Sequence, residues 1–201
     1  VSSSRAEILV VRSTKVKGPV FEGDNRLSLV IRAGAGVNTI DLETASRNGI
    51  YVANCPGKNA IAVAELTMGL LLAHDRSIAS AWGDLQEGQW NKKKYGKLAQ
   101  GLYGRSIGVV GFGAIGRAVA ERALAFGMEV HAFDPTLTEE QAENAGCLYA
   151  PDLDALLSGC DVVTLHVPKT LETTHLIGAA ELAKMKPNPI LLHTARGGVV
   201  D

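Results

Sequence analysis

The chain has 201 residues, enough for one large or two small domains, with 46% hydrophobic and 5% aromatic residues and a formal net charge of -1. That near-neutral balance argues against a nucleic-acid partner, which requires a basic face, and the one basic run, Lys92-Lys93-Lys94, is short. No apolar stretch reaches the roughly 18 residues of a membrane span. Cys55, Cys147 and Cys160 form no CxxC and have no histidine at ligand spacing, which points to a reduced, cytoplasmic compartment and no metal site.

Residues 7–12 and 27–32 are short Leu- and Val-rich runs followed by turn residues, the pattern of buried parallel strands. A helix is expected from about Asp41 to Asn48, stopped by Gly49, and a third strand at Ile50 to Ala53. Residues 60–80 read as one long helix, apolar around most of its circumference and therefore buried. The stretch 81–104 holds both tryptophans and reads as a short helix followed by an extended arm.

From Arg105 onward strands and helices alternate. Strands are expected at 106–111, 129–133, 161–166 and 190–194. Helices are expected at 114–126, 139–145, 153–157 and 179–184. Such alternation specifies a parallel sheet covered on both faces. The fold class is therefore α/β: a Rossmann-type doubly wound cofactor domain over residues 74–201, preceded by part of a flavodoxin-like domain over residues 1–73.

Gly111-Phe112-Gly113-Ala114-Ile115-Gly116 is a GxGxxG placed between an expected strand and an expected helix, the context in which that pattern binds a dinucleotide. Gly111 permits the tight turn, Gly113 lets a pyrophosphate approach the backbone, and Gly116 lets the helix pack on the strand. The helix start offers unpaired N–H groups, including those of Ala114 and Ile115, to the phosphates. Asp134 lies 18 residues after Gly116 at the end of the next strand, close to the ~20 expected of the acid that holds a ribose 2′-hydroxyl. No Lys or Arg lies near it in sequence, so the expected cofactor is NAD rather than NADP.

Further elements follow in a fixed order: Val11-Arg12-Ser13-Thr14-Lys15-Val16, Arg32-Ala33-Gly34-Ala35-Gly36-Val37-Asn38, Asn59 to Glu65, Asp161 to Pro168 with Thr173, and Thr194-Ala195-Arg196-Gly197-Gly198-Val199-Val200-Asp201. Together with the GxGxxG this ordered set, which covers essentially the whole chain, resembles the D-isomer-specific 2-hydroxyacid dehydrogenases. The Arg-Ser-Thr-Lys and Arg-Ala-Gly-x-Gly-x-Asn elements look most like the branch that acts on a phosphorylated substrate.

The resemblance implies hydride transfer between C2 of a D-2-hydroxy acid and the nicotinamide, in a cleft between two domains. It makes Arg196 the catalytic arginine, a role that suits a planar fork able to hold a carboxylate. It implies that Arg12, Ser13, Arg32, Gly34 and Asn38 bind substrate. The two arginines suit a phosphorylated 2-hydroxy or 2-oxo acid, although for either one a structural salt bridge explains its presence nearly as well. On the cofactor side the resemblance adds Val167, Pro168, Thr173, Thr194 and Ala195. A homodimer or higher homo-oligomer is expected, with the helix 60–80 and the 82–104 arm as contact surfaces. Lys92 reads as a solvated charge more readily than as a residue reaching a second subunit's cleft.

The family's acid/base histidine and its glutamate belong to elements after the Ala-Arg-Gly-Gly segment, and its first strand and helix to elements before Val1. Both domains are therefore expected to be incomplete in these 201 residues, which should bind NAD weakly without turning over. His166 and His193 read as structural or cofactor-lining residues rather than as the acid/base. Two other readings remain: a reductase of the same family acting on an unphosphorylated 2-oxo acid, and a non-catalytic NAD-sensing protein on the same fold.

Overall fold

A computed structural model describes residues 5–22 and 26–201. The chain divides into two compact units, the first ending at Asn59 and the second spanning Ala60–Asp201. The expectation had put this boundary after residue 73. The helix that begins at Ala60 instead packs on the second unit, because its buried residues Ala64, Met68 and Leu71 belong to that unit's core.

The first unit is a three-stranded parallel sheet. Its strands are β1 (Ile8–Val11), β2 (Leu29–Arg32) and β3 (Tyr51–Asn54), in that order. Helix α1 (Leu42–Arg47) precedes β3 and is capped by Asp41, whose carboxylate accepts from the Thr44 N–H at 3.0 Å. Val11, Val16, Phe21, Val30, Ala45 and Ile50 form the core. Burial is one-sided: Val11 and Val30 are inside while Ile8 and Val10 are exposed. Strands buried on both faces were expected from the continuous apolar runs. The pleat turns alternate side chains to opposite faces, and one of these faces lacks cover.

The second unit opens with α2 (Ala60–Asp75), α3 (Ile78–Gln86) and α4 (Lys92–Leu98). The single helix expected over 60–80 is broken at Ser77, which takes the left-handed conformation (φ 50°) where the polar trio Asp75-Arg76-Ser77 interrupts the apolar run. Nor is α2 buried all round: Ile61, Leu66 and Leu70 are exposed. The region read as an extended arm contains α4, joined to α3 by the Asp84 carboxylate, which accepts from Tyr95 Oη (2.5 Å) and Asn91 Nδ2 (2.8 Å).

The regular part is a five-stranded parallel sheet in the order β6-β5-β4-β7-β8. Its strands are β4 (Ser106–Val110), β5 (Glu129–Phe133), β6 (Leu148–Tyr149), β7 (Val162–Leu165) and β8 (Ile190–His193). Between them run α5 (Ala114–Ala125), α6 (Glu139–Asn144), α7 (Leu153–Gly159) and α8 (Ala179–Lys184). Two hydrophobic clusters flank the sheet, one joining α2 and α5 to it and the other containing Leu156, Leu157, Ile177 and Val199. The central strand β4 is buried at every residue. There Gly108 has a packing role, since a Cβ on it would lie 2.3 Å from Leu156 Cδ2. Among the described residues no helix is long and apolar enough to cross a membrane.

Candidate functional site

The order of the second sheet reverses at β4: the chain moves outward through β5 and β6, then returns to the other side of β4 as β7 and β8. In an open parallel sheet the crevice for a ligand lies at that switch, beyond the carboxyl ends of the strands. The residues singled out in this unit converge there, on the segments that follow β4, β5, β7 and β8.

Gly111, directly after β4, has φ 91° and lies against the next strand's exit: a Cβ on it would come 2.9 Å from the His166 carbonyl and 3.0 Å from Val167 Cγ1. Gly116, in the first turn of α5, faces the Gly111 carbonyl, which a Cβ would approach to 2.0 Å. Both positions are closed to side chains by backbone. Gly113 differs, because a Cβ there would meet nothing within 4 Å. It is the N-cap of α5 and supplies no side-chain cap, and the first intrahelical bond that its carbonyl accepts comes from the Arg117 N–H. The first-turn N–H groups of Ala114 and Ile115 therefore start a helix without an intrahelical acceptor, beside the open space over the exposed Gly113 and at the positive end of a helix dipole, a cradle that fits a pyrophosphate.

Asp134 follows β5 and is half-buried. Its Oδ2 accepts from the Phe112 N–H (3.0 Å), and its Oδ1 from the Thr136 N–H (2.9 Å) and hydroxyl (2.7 Å). Burial pushes its pKa upward, but the Thr136 and Phe112 hydrogen bonds and the charge of Arg117 outweigh it and hold the carboxyl below its usual range. A carboxylate offers about four acceptor sites; three are taken here, which leaves room for a ribose hydroxyl. Arg117 stands 4.7 Å over the Phe112 ring. Sequence reasoning missed this cation because it comes from the helix rather than from the neighbourhood of Asp134 in the chain.

Beyond β7, Val167 is partly buried against the core, Pro168 is exposed, and the Thr173 hydroxyl accepts from the Thr170 N–H (2.8 Å) while donating to the Pro168 carbonyl. Thr173 thus closes its own loop. Beyond β8, the Thr194 hydroxyl meets that of Thr67 at 3.1 Å; Thr67 is fully buried on α2 and also donates to the Val63 carbonyl. Arg196 is exposed, and its Nη1 donates to the Ala195 carbonyl at 2.9 Å. Two histidines mark the neighbouring strand ends. His166 Nε2 meets Thr164 Oγ1 at 2.9 Å, and His193 Nε2 lies 2.9 Å from the Arg196 carbonyl. Burial, then the nearby His193, lower the His166 pKa to about 4.

In the first unit Arg12 follows β1 and Arg32 ends β2, so that register places them at the carboxyl ends of adjacent parallel strands. Among the described residues neither forms an ion pair, and the buried Nε of Arg32 has no hydrogen-bond partner. Gly34 leaves the space that the Arg32 guanidinium fills, since a Cβ on it would lie 1.5 Å from Nη1. Ser13 is exposed. Asn38, also exposed, lines a separate hollow of about 590 Å³ with Lys15, Lys17 and Asp41. Asn54, which sequence reasoning did not single out, ties the glycine loop to β3 by donating to the Ala35 carbonyl at 2.7 Å.

A doubly wound sheet with this glycine cradle and this acid is a dinucleotide-binding domain of the NAD type. The chain belongs to the D-isomer specific 2-hydroxyacid dehydrogenase family, whose NAD-binding-domain model matches residues 68–201. It is 45% identical over 197 residues to a D-3-phosphoglycerate dehydrogenase of Methanocaldococcus jannaschii, covering 98% of this chain and 37% of that protein. It is also 45% identical over 196 residues to a hydroxypyruvate reductase of Thermotoga maritima, covering 97% of this chain and 62% of that one. The D-lactate dehydrogenase of Aquifex aeolicus, solved with NAD and lactic acid, superposes with a TM-score of 0.84 at 34% identity, over 98% of this chain and 59% of that structure. The chain thus spans less than two thirds of each of these relatives.

Proposed function

We propose that the complete protein oxidises and reduces a D-2-hydroxy acid with NAD, and that its substrate is 3-phospho-D-glycerate and the corresponding 2-oxo acid. The observation that carries the substrate is the pair Arg12 and Arg32, on adjacent strand ends and without carboxylate partners among the described residues. Two guanidinium groups on neighbouring strand ends, free of carboxylate partners among those residues, can both turn to a multiply charged anion, and their planar forks match phosphate.

In this reading the first-turn N–H groups of α5 hold the pyrophosphate, and Asp134 accepts from the adenosine ribose. The nicotinamide, when bound, supplies the hydride acceptor or donor. Arg196 grips the C1 carboxylate and polarises the C2 oxygen, which lowers the barrier by favouring the charge that develops there. Proton transfer at that oxygen falls to the acid/base histidine and its glutamate partner that the family resemblance implies. The activity would stand at the head of serine biosynthesis, in the cytoplasm.

The reductase of Thermotoga maritima supports a second reading, with unphosphorylated hydroxypyruvate as substrate. Kinetics of NADH formation from 3-phosphoglycerate and from D-glycerate decide between them. Preference for the phosphorylated acid, lost in Arg12→Gln and Arg32→Gln, is the expected outcome; equal kcat/KM for both acids overturns it.

We also propose a homodimer. Trp82, Leu85 and Trp90 are exposed around an apolar hollow of about 620 Å³ between α3 and α4, and exposed clusters of this kind mark contact sites. Light scattering on the Trp82→Ser/Trp90→Ser variant tests this, the expected result being a monomer.

A further inference from the structure

The loop that carries Arg196 is anchored at both ends and free at its apex. At its start the Thr194 hydroxyl is tied to the buried Thr67 of α2. At its end the His175 N–H donates to the Gly198 carbonyl at 2.9 Å, the Ile177 N–H to the Val199 carbonyl at 3.2 Å, and Val199 is fully buried. Between these anchors Gly197 touches nothing that a side chain would meet, and Gly198 has φ 83°. Two successive glycines leave the backbone soft at the point where the guanidinium must be aimed.

Besides the Arg196 guanidinium's own bond to the Ala195 carbonyl at 2.9 Å, two donors reach the apex among the described residues. Both meet the Arg196 carbonyl: the Val199 N–H at 3.3 Å, and the imidazole of His193 at 2.9 Å. A carbonyl only accepts, so Nε2 of His193 carries the hydrogen. The ring can reach because His193 is the last residue of β8, fixed in register with Leu165 of β7. From there its side chain spans Thr194 and Ala195 and closes on the peptide that follows Arg196.

We infer that His193 is a positioning residue for Arg196: its Nε2–H holds the Arg196 carbonyl and so sets the direction in which the guanidinium leaves the loop. The inference rests on the reading of Arg196 as the carboxylate-binding group. His193 does not touch substrate and moves no proton. It replaces, with one side-chain hydrogen bond, the stiffness that the two glycines remove. Misplacement of an orienting group by about 1 Å is enough to lower the rate strongly.

The test uses the complete protein saturated with NADH and titrated calorimetrically with D-glycerate and with its 3-phosphate. Both acids carry the C1 carboxylate, and neither turns over in the presence of the reduced cofactor. His193→Leu keeps bulk and removes the donor. His193→Gln keeps an N–H about as far from the backbone as Nε2. The expected result is a five- to tenfold weaker affinity for the preferred acid in His193→Leu, most of it recovered in His193→Gln, with NADH affinity within twofold of the parent.

Three results overturn the inference: unchanged acid affinity in His193→Leu, equal losses in the two His193 variants, or a parallel loss of NADH affinity. Arg196→Gln, measured alongside, separates the two levels. If it leaves acid binding intact, the role proposed for Arg196 fails and the role of His193 fails with it. If it weakens binding while His193→Leu does not, only the latter is wrong.

Discussion

The carboxylate of Asp134 and the backbone N–H of Phe112 lie 3.0 Å apart, joining the segment after β5 to the turn after β4. The Gly111 N–H also donates to the Phe133 carbonyl at 2.8 Å, so the acid and the glycine turn are one hydrogen-bonded unit. The acid proposed to hold the ribose is therefore tied directly to the turn proposed to hold the phosphates.

Replacing Asp134 by Ala should lower NADH affinity roughly tenfold to a hundredfold, the range for losing a hydrogen bond to a charged group. Arg117, whose charge acts on Asp134 from its place over the Phe112 ring, then remains without that carboxylate. NADPH should lose less than NADH, so that the ratio of the two affinities moves toward the phosphorylated cofactor. Fluorescence titration of both nucleotides measures this, and an unchanged ratio would remove Arg117 from the account.

Two glycines of the cradle should respond in opposite ways. Gly116→Ala drives a Cβ into the Gly111 carbonyl at 2.0 Å, a backbone contact that cannot swing aside. It should cost about 3 kcal/mol or more of stability. Gly113→Ala meets nothing within 4 Å, so Tm should hold while the new methyl group obstructs the phosphates and NADH binding drops. Thermal melts and titrations of the two variants together check the contrast.

The sequence was most informative where a local signal and the tertiary environment agreed. Strand Glu129–Phe133 and helix Ala179–Lys184 fall where they were expected. The turn Gly111 to Gly116 stands between a strand and a helix as its spacing required. What was illegible depended on neighbours distant in the chain. The break at Ser77 has no glycine or proline to announce it. The two-residue strand Leu148–Tyr149 is too short to show a period and exists through its pairing with β5. Arg117, Thr67 and Asn54 enter the sites through contacts that only folding makes: across a helix turn to Phe112, across 127 positions to Thr194, and between strand and loop.

His166 makes stability depend on pH in a defined window. Its folded pKa, lowered by burial and by His193 to about 4, lies below the ordinary 6.5. Between those values the unfolded chain binds a proton that the folded chain does not, so stability rises with pH. Acidification from about 6.5 to about 4 should therefore remove on the order of 3 kcal/mol. The depressed carboxylates Asp134 and Asp161 act lower down, where the acids themselves protonate. Urea unfolding across this range, in the parent and in His166→Asn, should show the slope only in the parent.

Asp75 supports the segment between α4 and β4. Its side chain is 3% exposed and accepts from the Gln100 N–H (3.2 Å), the Gly101 N–H (3.0 Å) and Arg105 Nη1 (3.4 Å), while the Arg105 side chain is 14% exposed. Asp75→Ala leaves a largely buried guanidinium and two backbone donors without their acceptor, which should cost about 3–5 kcal/mol. If the cost comes from the stranded charge, Asp75→Ala/Arg105→Met should recover part of it, because an apolar side chain of similar length leaves no ion to solvate. If the two backbone donors dominate, the double variant should be no better than the single one. Denaturant midpoints for the three proteins distinguish these outcomes. A single variant within 1 kcal/mol of the parent would mean that water satisfies all the exposed donors and that the carboxylate does not fasten this segment.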